Sequence, residues 1–301
     1  MPAPNDATEL KRLLPEIAEV EAPISILVSR KTALHASDVF VPHVWSAPLP
    51  KDALVQLAPG VRCVAPAVLA LLMTPHLKDL ELQMLLAEFM GLFAPSDDYE
   101  MGLRQRREPL VTPSQLSHFL DAVGPAKGTA RFRRALKMAP VAAASPLEAK
   151  LYLRVTYPFS QGGYRMGEVV LNDPVEVRRL TCNCGALRRR KPDLLFKHGD
   201  ACACLDYMGA WHDSADGVRR DTERRNELLA AGFKPYEIFK DEYDDLDYMD
   251  SLMEQIREEL GLPSSKSSKE RKLARWRARR QLWTQLEEID LLGWETREDL
   301  R

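Results

Sequence analysis

The chain has 301 residues, of which 45% are hydrophobic and 29% are charged. This composition is typical of a folded globular protein and excludes a disordered or fibrous chain. The length allows two modest domains, and the net charge of −2 gives no indication of a nucleic-acid partner, because a sum over the chain hides where the charges lie.

The first residues, MPAPNDATELKRLLPEI, lack the apolar stretch of a signal peptide. The longest apolar run, CVAPAVLALLM, is too short to cross a bilayer. We therefore expect a cytoplasmic protein without a membrane partner. Five cysteines are an odd number in a long chain without a secretion signal, so reduced thiols are expected.

Residues 1–140 predict a small α+β domain, to which the sequence assigns no role. Two apolar runs rich in β-branched residues predict strands: ISILVSR and DVFVPHVW. Helical spacing of apolar residues then predicts helices in four segments: PAVLALLMT, KDLELQMLLAEFMGLF, TPSQLSHFLDAV and GTARFRRALKMA.

A second domain is predicted over 141–262. Its first helix has Ser145 as the N-cap, Pro146 in the first helical position and Glu148 in the third. The following patterns predict strands at PDLLF and ACACLDYM, a long helix at DGVRRDTERRNELLAAG, a strand at KPYEIF and a helix near 246–260. This order predicts an α/β fold.

Residues 263–301 combine a short polar linker with a basic C-terminal helix. Trp276 and Trp283 lie near one face of that helix. Tryptophans at helical spacing are more typical of core contacts, whereas stacking on nucleic-acid bases is the alternative.

Two aspartates provide the strongest indication of chemistry. Asp193 opens one predicted strand, Asp206 closes the next, and a hairpin-like KHGD turn stands between them. Antiparallel pairing of these strands would bring the two carboxylates together. Mg²⁺ prefers oxygen ligands and retains several waters, so Asp193 and Asp206 are the predicted ligands of Mg²⁺ or Mn²⁺.

Other residues are candidates for parts of the same site. Glu148 is a third carboxylate, with helix capping as its alternative role, and His212 is a candidate to orient or deprotonate water. The candidates for binding phosphates of DNA are basic residues near the aspartates: Arg188, Arg189, Arg190, Lys191, Arg220 and Arg224. A solvated strand face is the alternative for the run that ends at Lys191.

Five segments of the sequence carry a family resemblance when they are taken in order: SPLEAKLYL, RRKPDLLF, CLDYMGAWH, RRDTERRNELLAAGF and KPYEIF. They resemble the restriction-endonuclease-like PD-(D/E)XK superfamily, in its branch near very-short-patch-repair endonucleases. The resemblance covers about 145–245. It implies an α/β/α core with a mixed sheet, and it matches Glu148, Asp193 and Asp206 to catalytic or metal-binding carboxylates and His212 to the site histidine. The N-terminal half more loosely resembles antitoxin-like proteins of bacterial abortive-infection systems, which implies a partner protein in a toxin–antitoxin or defence system.

The sequence departs from the family pattern at Met208, where the family has a carboxylate, a lysine or a histidine. A thioether neither binds Mg²⁺ strongly nor relays a proton. Two interpretations remain open. The chain is a Mg²⁺-dependent DNA endonuclease or nickase, or it is a catalytically degenerate nuclease fold that acts as a DNA-binding or antitoxin-like protein.

The cysteine spacing carries a separate alternative. Cys182, Cys184, Cys202 and Cys204 form two Cys-any-Cys pairs, which suggests a thiolate zinc site. Zinc sites more commonly have two residues between paired cysteines, and alternate cysteines on a strand share one face. Buried thiols are therefore the favoured interpretation.

Overall fold

The computed structural model describes residues 11–14, 23–30, 40–46, 48–96, 102–180, 186–208, 215–263 and 268–289. These residues divide into two compact units. The first contains the described residues up to 82 together with 110–137, and the second contains 83–109 and 138–289. None of the helices in these ranges is long and apolar enough to cross a membrane.

The first unit holds two small sheets. Strands β1 (Ile24–Val28) and β2 (Phe40–Val44) pair in parallel, and β3 (Leu54–Ala58) and β4 (Val61–Val64) form an antiparallel hairpin. The sequence-predicted strands ISILVSR and DVFVPHVW are thus confirmed.

The predicted helices before residue 140 are also confirmed. They are α1 (Pro66–Met73), α2 (Asp79–Phe89), α3 (Pro113–Val123) and α4 (Thr129–Met138). Thr112 begins α3 with a reciprocal capping box, because its hydroxyl accepts from the Gln115 N–H while the Gln115 side chain accepts from the Thr112 N–H. A two-stranded hairpin of the second unit, β5 (Phe93–Pro95) with β6 (Leu103–Gln105), lies between α2 and α3 in the chain.

The second unit is built around a mixed four-stranded sheet in the order β12, β11, β10, β7. Its members are β7 (Glu168–Leu171), β10 (Leu194–His198), β11 (Ala201–Tyr207) and β12 (Lys234–Ile238). Strand β10 is antiparallel to both β7 and β11, whereas β12 runs parallel to β11. The predicted α/β class, with a mixed sheet in the C-terminal half, is confirmed. A separate hairpin contains β8 (Val175–Arg178) and β9 (Leu187–Arg190).

The predicted helices of this part of the chain are confirmed as α5 (Pro146–Thr156), α6 (Ala215–Ala230), α8 (Leu246–Glu259) and α9 (Lys269–Glu287). A short helix that the sequence did not predict, α7 (Lys240–Asp244), stands between β12 and α8 in the chain. Ser145 caps α5 by accepting from the Glu148 N–H at 3.1 Å. Successive residues of the central strands are buried, for example Leu194 to Phe196, which indicates that both faces of the sheet are covered.

The C-terminal helix α9 docks through its second half. Leu282 and Leu286 are buried, and Arg154 is stacked between Tyr243 and Trp283 at 4.4 and 4.2 Å from the ring centres. Gly162 has φ of 87°, and a Cβ there would lie 2.3 Å from the Ala278 carbonyl oxygen of α9. Trp283 is therefore a packing residue, as the core interpretation of this helix predicted.

Candidate active site

Four polar residues stand side by side across the sheet at one end of its strands. Asn172 directly follows β7, and its N–H donates to the Asp193 carbonyl at 3.0 Å. Asp193 directly precedes β10 and lies across from Asp206 in the antiparallel register. Asp206 is paired in turn with Glu237 of β12. Because neighbouring residues in a sheet point to the same face, this register gathers polar side chains in one row.

The two predicted aspartates meet. The Asp193 N–H donates to Oδ1 of Asp206 at 2.9 Å, and the Tyr207 N–H donates to Oδ2 of Asp193 at 2.8 Å. The turn that follows β10 includes Gly199 at φ of 57°, a conformation that glycine adopts easily. The hairpin thus places the carboxylates together without a long connection.

The pKa values of both aspartates are raised. The pKa of Asp193 is raised to about 6, chiefly by burial and then by the nearby charge of Glu148, while the Tyr207 N–H and Arg224 act in the opposite direction. Burial likewise raises the pKa of Asp206 to about 6, where Arg224 lowers it and Asp193 raises it. A pair of carboxylates in this setting gains stability from any nearby positive charge.

Glu148 is the third carboxylate of the cluster. It is buried and accepts from the Ala144 N–H at 2.9 Å and from the Asn172 amide at 2.5 Å, while the Ser145 hydroxyl bonds its other oxygen at 3.2 Å. Burial raises the pKa of Glu148 despite these donors. Glu148 therefore belongs to the cluster and caps α5 at the same time, so the two roles predicted for it do not exclude each other.

Arg224 of α6 is the cation in contact with the pair. Its Nη2 donates to Oδ1 of Asp206 at 2.8 Å and to the Lys191 carbonyl at 2.7 Å. Lys191 is exposed, and its charge lowers the pKa of both Glu148 and Asp193. Lys191 and Arg224 therefore supply positive charge beside a concentrated negative one.

The oxygen atoms of the cluster suit a hard divalent cation. Within the described ranges no three acidic, histidine or cysteine side chains form a ready metal-binding set. Mg²⁺, however, is commonly held by one or two carboxylates with waters and substrate phosphates as the other ligands. Asp193 and Asp206 match that donor set, since the hydrogen bonds from Tyr207, Asp193 and Arg224 reach Oδ2 of Asp193 and Oδ1 of Asp206 and not the other oxygen of either carboxylate.

Two of the predicted DNA-binding arginines are held by a buried carboxylate. Arg190 forms ion pairs with Glu227 at 2.6 Å, and Arg188 lies 3.7 Å from Glu227 and 3.3 Å from Glu223. The Glu227 side chain is 0% exposed. These contacts tie β9 to α6, so a large part of the charge on Arg188 and Arg190 is compensated within the protein.

The remaining basic candidates are more exposed to solvent than Arg188 and Arg190. Arg189 is 77% exposed and lies 3.7 Å from Glu176. Arg220 is exposed on α6, one helical turn before Arg224. Together with Lys191, these residues leave positive charge accessible to solvent near the carboxylates.

Some predicted residues lie outside the described parts of the chain: His212, Cys182 and Cys184. Of the other zinc candidates, Cys204 is fully buried among Val177, Leu195 and Leu228. Burial raises its pKa to about 12, as for a thiol in an apolar core. Cys202 is half-buried on the same strand.

Sequence reasoning missed Asn172, Glu227 and Glu237. Asn172 has φ of 53°, and asparagine before an Asp-Pro pair is a recognisable turn signal. Glu227 next to Leu228 on an amphipathic helix offers a weaker signal, because a buried glutamate is recognised only by the cation that reaches it. Glu237 is identified by the register of β12 and by no local pattern.

Comparisons of the whole chain with protein-family models, with curated proteins and with solved structures found no match.

Proposed function

We propose that this protein is a Mg²⁺-dependent endonuclease or nickase that hydrolyses phosphodiester bonds in DNA. The observation that carries the proposal is the pairing of Asp193 and Asp206 across adjacent strands, with Glu148 beside them and two cations at the rim. The resemblance of 145–245 to the PD-(D/E)XK superfamily is consistent with the same chemistry.

Each group has a role that follows from its surroundings. Asp193 and Asp206 would hold the metal ion, which when bound would activate the attacking water. Glu148 and Asn172 keep the negative charge of the cluster in place through their mutual hydrogen bond. Lys191 is placed to attract the phosphate. His212 lies outside the described residues, and its predicted role is to orient or deprotonate the attacking water.

A plasmid assay tests this function directly. Supercoiled DNA is incubated with the protein and Mg²⁺ or Mn²⁺, and wild type is compared with Asp193→Ala. The matched control is Asp200→Ala, which removes an exposed carboxylate from the turn that joins the same two strands. We expect nicking by wild type and by the control and none by Asp193→Ala. Equal activity of all three proteins, or none in wild type, contradicts the proposal.

Two observations favour a second function, DNA binding without hydrolysis. Arg224 already donates to Oδ1 of Asp206, and Met208 brings no ionisable group to the end of β11. An arginine paired with a ligand carboxylate competes with a metal ion for it. Salt-sensitive DNA binding without cleavage in Mg²⁺ or Mn²⁺ is the result that this second function predicts.

A further inference from the structure

Helix α9 has more basic residues than the number that contact other side chains in the described part of the protein. Residues 269–280 include seven basic residues and one acidic residue. Three of the seven contact a side chain within the fold: Arg275 stacks over Phe159 at 4.3 Å, Arg279 binds Asp250 at 2.7 Å, and Arg280 lies over the Trp276 ring. The other four are exposed and have no carboxylate partner within the described ranges: Lys269, Arg271, Lys272 and Arg277.

The charge is concentrated where the helix leaves the body of the second unit. Every residue from 268 to 274 is exposed, whereas the buried positions of α9 begin with Leu282. Basic residues in the first turn of a helix oppose its dipole. The charge at this end therefore does not stabilise α9 through the helix dipole.

An aromatic ring interrupts the basic face. Lys269, Lys272 and Trp276 follow one another at intervals of three and four residues, so they share one side of α9. Trp276 is half-buried, and Arg280 lies 5.8 Å from its ring centre. A lysine pair beside an exposed part of an indole ring offers both a phosphate contact and a stacking surface for a base.

The C-terminal end of α9 lies beside negative charge. A cavity of about 940 Å³ is bordered by Trp276, Arg280 and Trp283 and is lined by six acidic side chains: Asp241, Asp244, Asp245, Asp247, Glu287 and Glu288. These carboxylates repel a polyanion, so Trp276 marks the limit of the contact, which falls in the first half of the helix. From Lys269 to Arg277 that half is about 12 Å long, equal to about three to four base pairs along a duplex.

We propose that the exposed first half of α9, with Lys269, Lys272 and Trp276 on one side and Arg271 and Arg277 flanking that side, is a docking surface for the phosphate backbone of DNA. The choice of DNA rests on the proposed function. A lipid surface is a poorer fit, because the exposed half contains one large aliphatic side chain, Leu273, and a membrane-bound helix needs a continuous apolar face.

Binding is measured with the full chain in EDTA, so that the result does not depend on catalysis. Fluorescent duplex and single-stranded DNA of about 20 nucleotides are titrated over a range of salt concentrations. The test variant is K269A/R271A/K272A. The matched control is K51A/R62A/K127A, which removes three exposed basic residues from the first unit.

We expect the test variant to bind about tenfold more weakly at low salt, and its salt slope to fall by about two to three, because each phosphate contact contributes about 0.9. The charge-conserving variant K269R/R271K/K272R should bind like wild type. Trp276→Ala should weaken single-stranded binding about fivefold, and more than duplex binding.

Unchanged DNA binding by the test variant overturns the inference, as does an equal loss in the control. Binding to anionic vesicles in preference to DNA, lost in the test variant, also overturns it in favour of a lipid surface. If wild type cleaves plasmid and K269A/R271A/K272A binds DNA as well as wild type does, the nuclease proposal stands and the docking surface is contradicted. If wild type does not cleave and K269A/R271A/K272A loses DNA binding, the docking surface stands and the nuclease proposal is contradicted.

Discussion

The backbone N–H of Asp193 donates to Oδ1 of Asp206 across 2.9 Å, so the strand end that supplies one carboxylate also orients the other. Neither carboxylate can leave the pair without disturbing the start of β10. This dependence makes the site rigid, but it keeps two negative charges close together in a buried place, where ionisation of both carboxyls is unfavourable.

Replacement of Asp193 by asparagine should stabilise the protein above pH 6. Because the folded-state pKa is about 6 and the ordinary value is 3.8, folding favours the protonated carboxyl. This contribution to the free energy of unfolding is complete below about pH 4 and is lost as the pH rises through 6. We expect the advantage of Asp193→Asn over wild type to be larger at pH 8 than at pH 4 by about 1 to 2 kcal/mol in urea denaturation. An equal advantage at both pH values contradicts this explanation.

Gain of stability with loss of cleavage in Asp193→Asn would indicate that the buried charge is retained for function. A site whose residues are suboptimal for folding is commonly a functional one. The exposed Asp200 serves as the control, since Asp200→Asn should change stability little at either pH.

Removal of the Arg224 guanidinium should destabilise the fold. Arg224→Gln leaves the Asp206 carboxylate, which is 6% exposed, without its ion-pair partner. Loss of one member of a buried pair costs about 3 kcal/mol. The double variant Asp206→Asn/Arg224→Gln should recover part of that loss, as a urea denaturation cycle at pH 8 would measure. Arg225→Gln is the control on the same helix, and an equal loss in it would show that the Asp206 contact is not the cause.

Neighbouring arginines of β9 should separate into structural and binding residues. Arg190→Ala leaves the fully buried Glu227 without its closest cation, so we expect a loss of about 3 kcal/mol in unfolding free energy. Arg189→Ala, in a side chain that is 77% exposed, should change stability by less than about 0.5 kcal/mol. If this region contacts DNA, Arg189→Ala should instead weaken binding at low salt. Equal stability of the two variants contradicts the assignment.

Local patterns were sufficient to predict most of the fold. Short apolar runs identified β10 and β11, helical spacing identified α6 and α8, and the KHGD turn identified the pairing that joins Asp193 to Asp206. Ser145 likewise predicted the start of α5. These features are determined within about ten residues of sequence, where capping and turn chemistry act.

The parts that sequence did not predict depend on contacts between distant segments. Arg190 and Glu227 are 37 positions apart, and only the packing of α6 against the β8–β9 hairpin brings them together. For the same reason the basic run at 188–190 could not be divided into paired and exposed arginines from its sequence. Glu237 is beside Asp206 because β12 runs parallel to β11, a register that no local pattern specifies.

Met208 departs from the pattern of the PD-(D/E)XK superfamily, which this part of the sequence resembles. It follows Asp206 by two positions, so alternation along the strand directs both side chains to the same face. Its N–H donates to the Ile238 carbonyl at 2.8 Å, which fixes the backbone whatever the side chain. A charged group here would stand beside the paired carboxylates: lysine would contribute a cation toward the phosphate, and aspartate a further oxygen ligand.

We therefore expect Met208→Lys or Met208→Asp to raise the initial rate of plasmid nicking in Mg²⁺ by about tenfold or more, since one positioned ionisable group contributes about that much or more to catalysis. Met208→Leu is the control, because it preserves an apolar side chain of similar volume and should leave the rate unchanged. Addition of Asp193→Asn to the faster variant should abolish the gain. Unchanged nicking in both charged variants would mean that this position does not face the reacting phosphate.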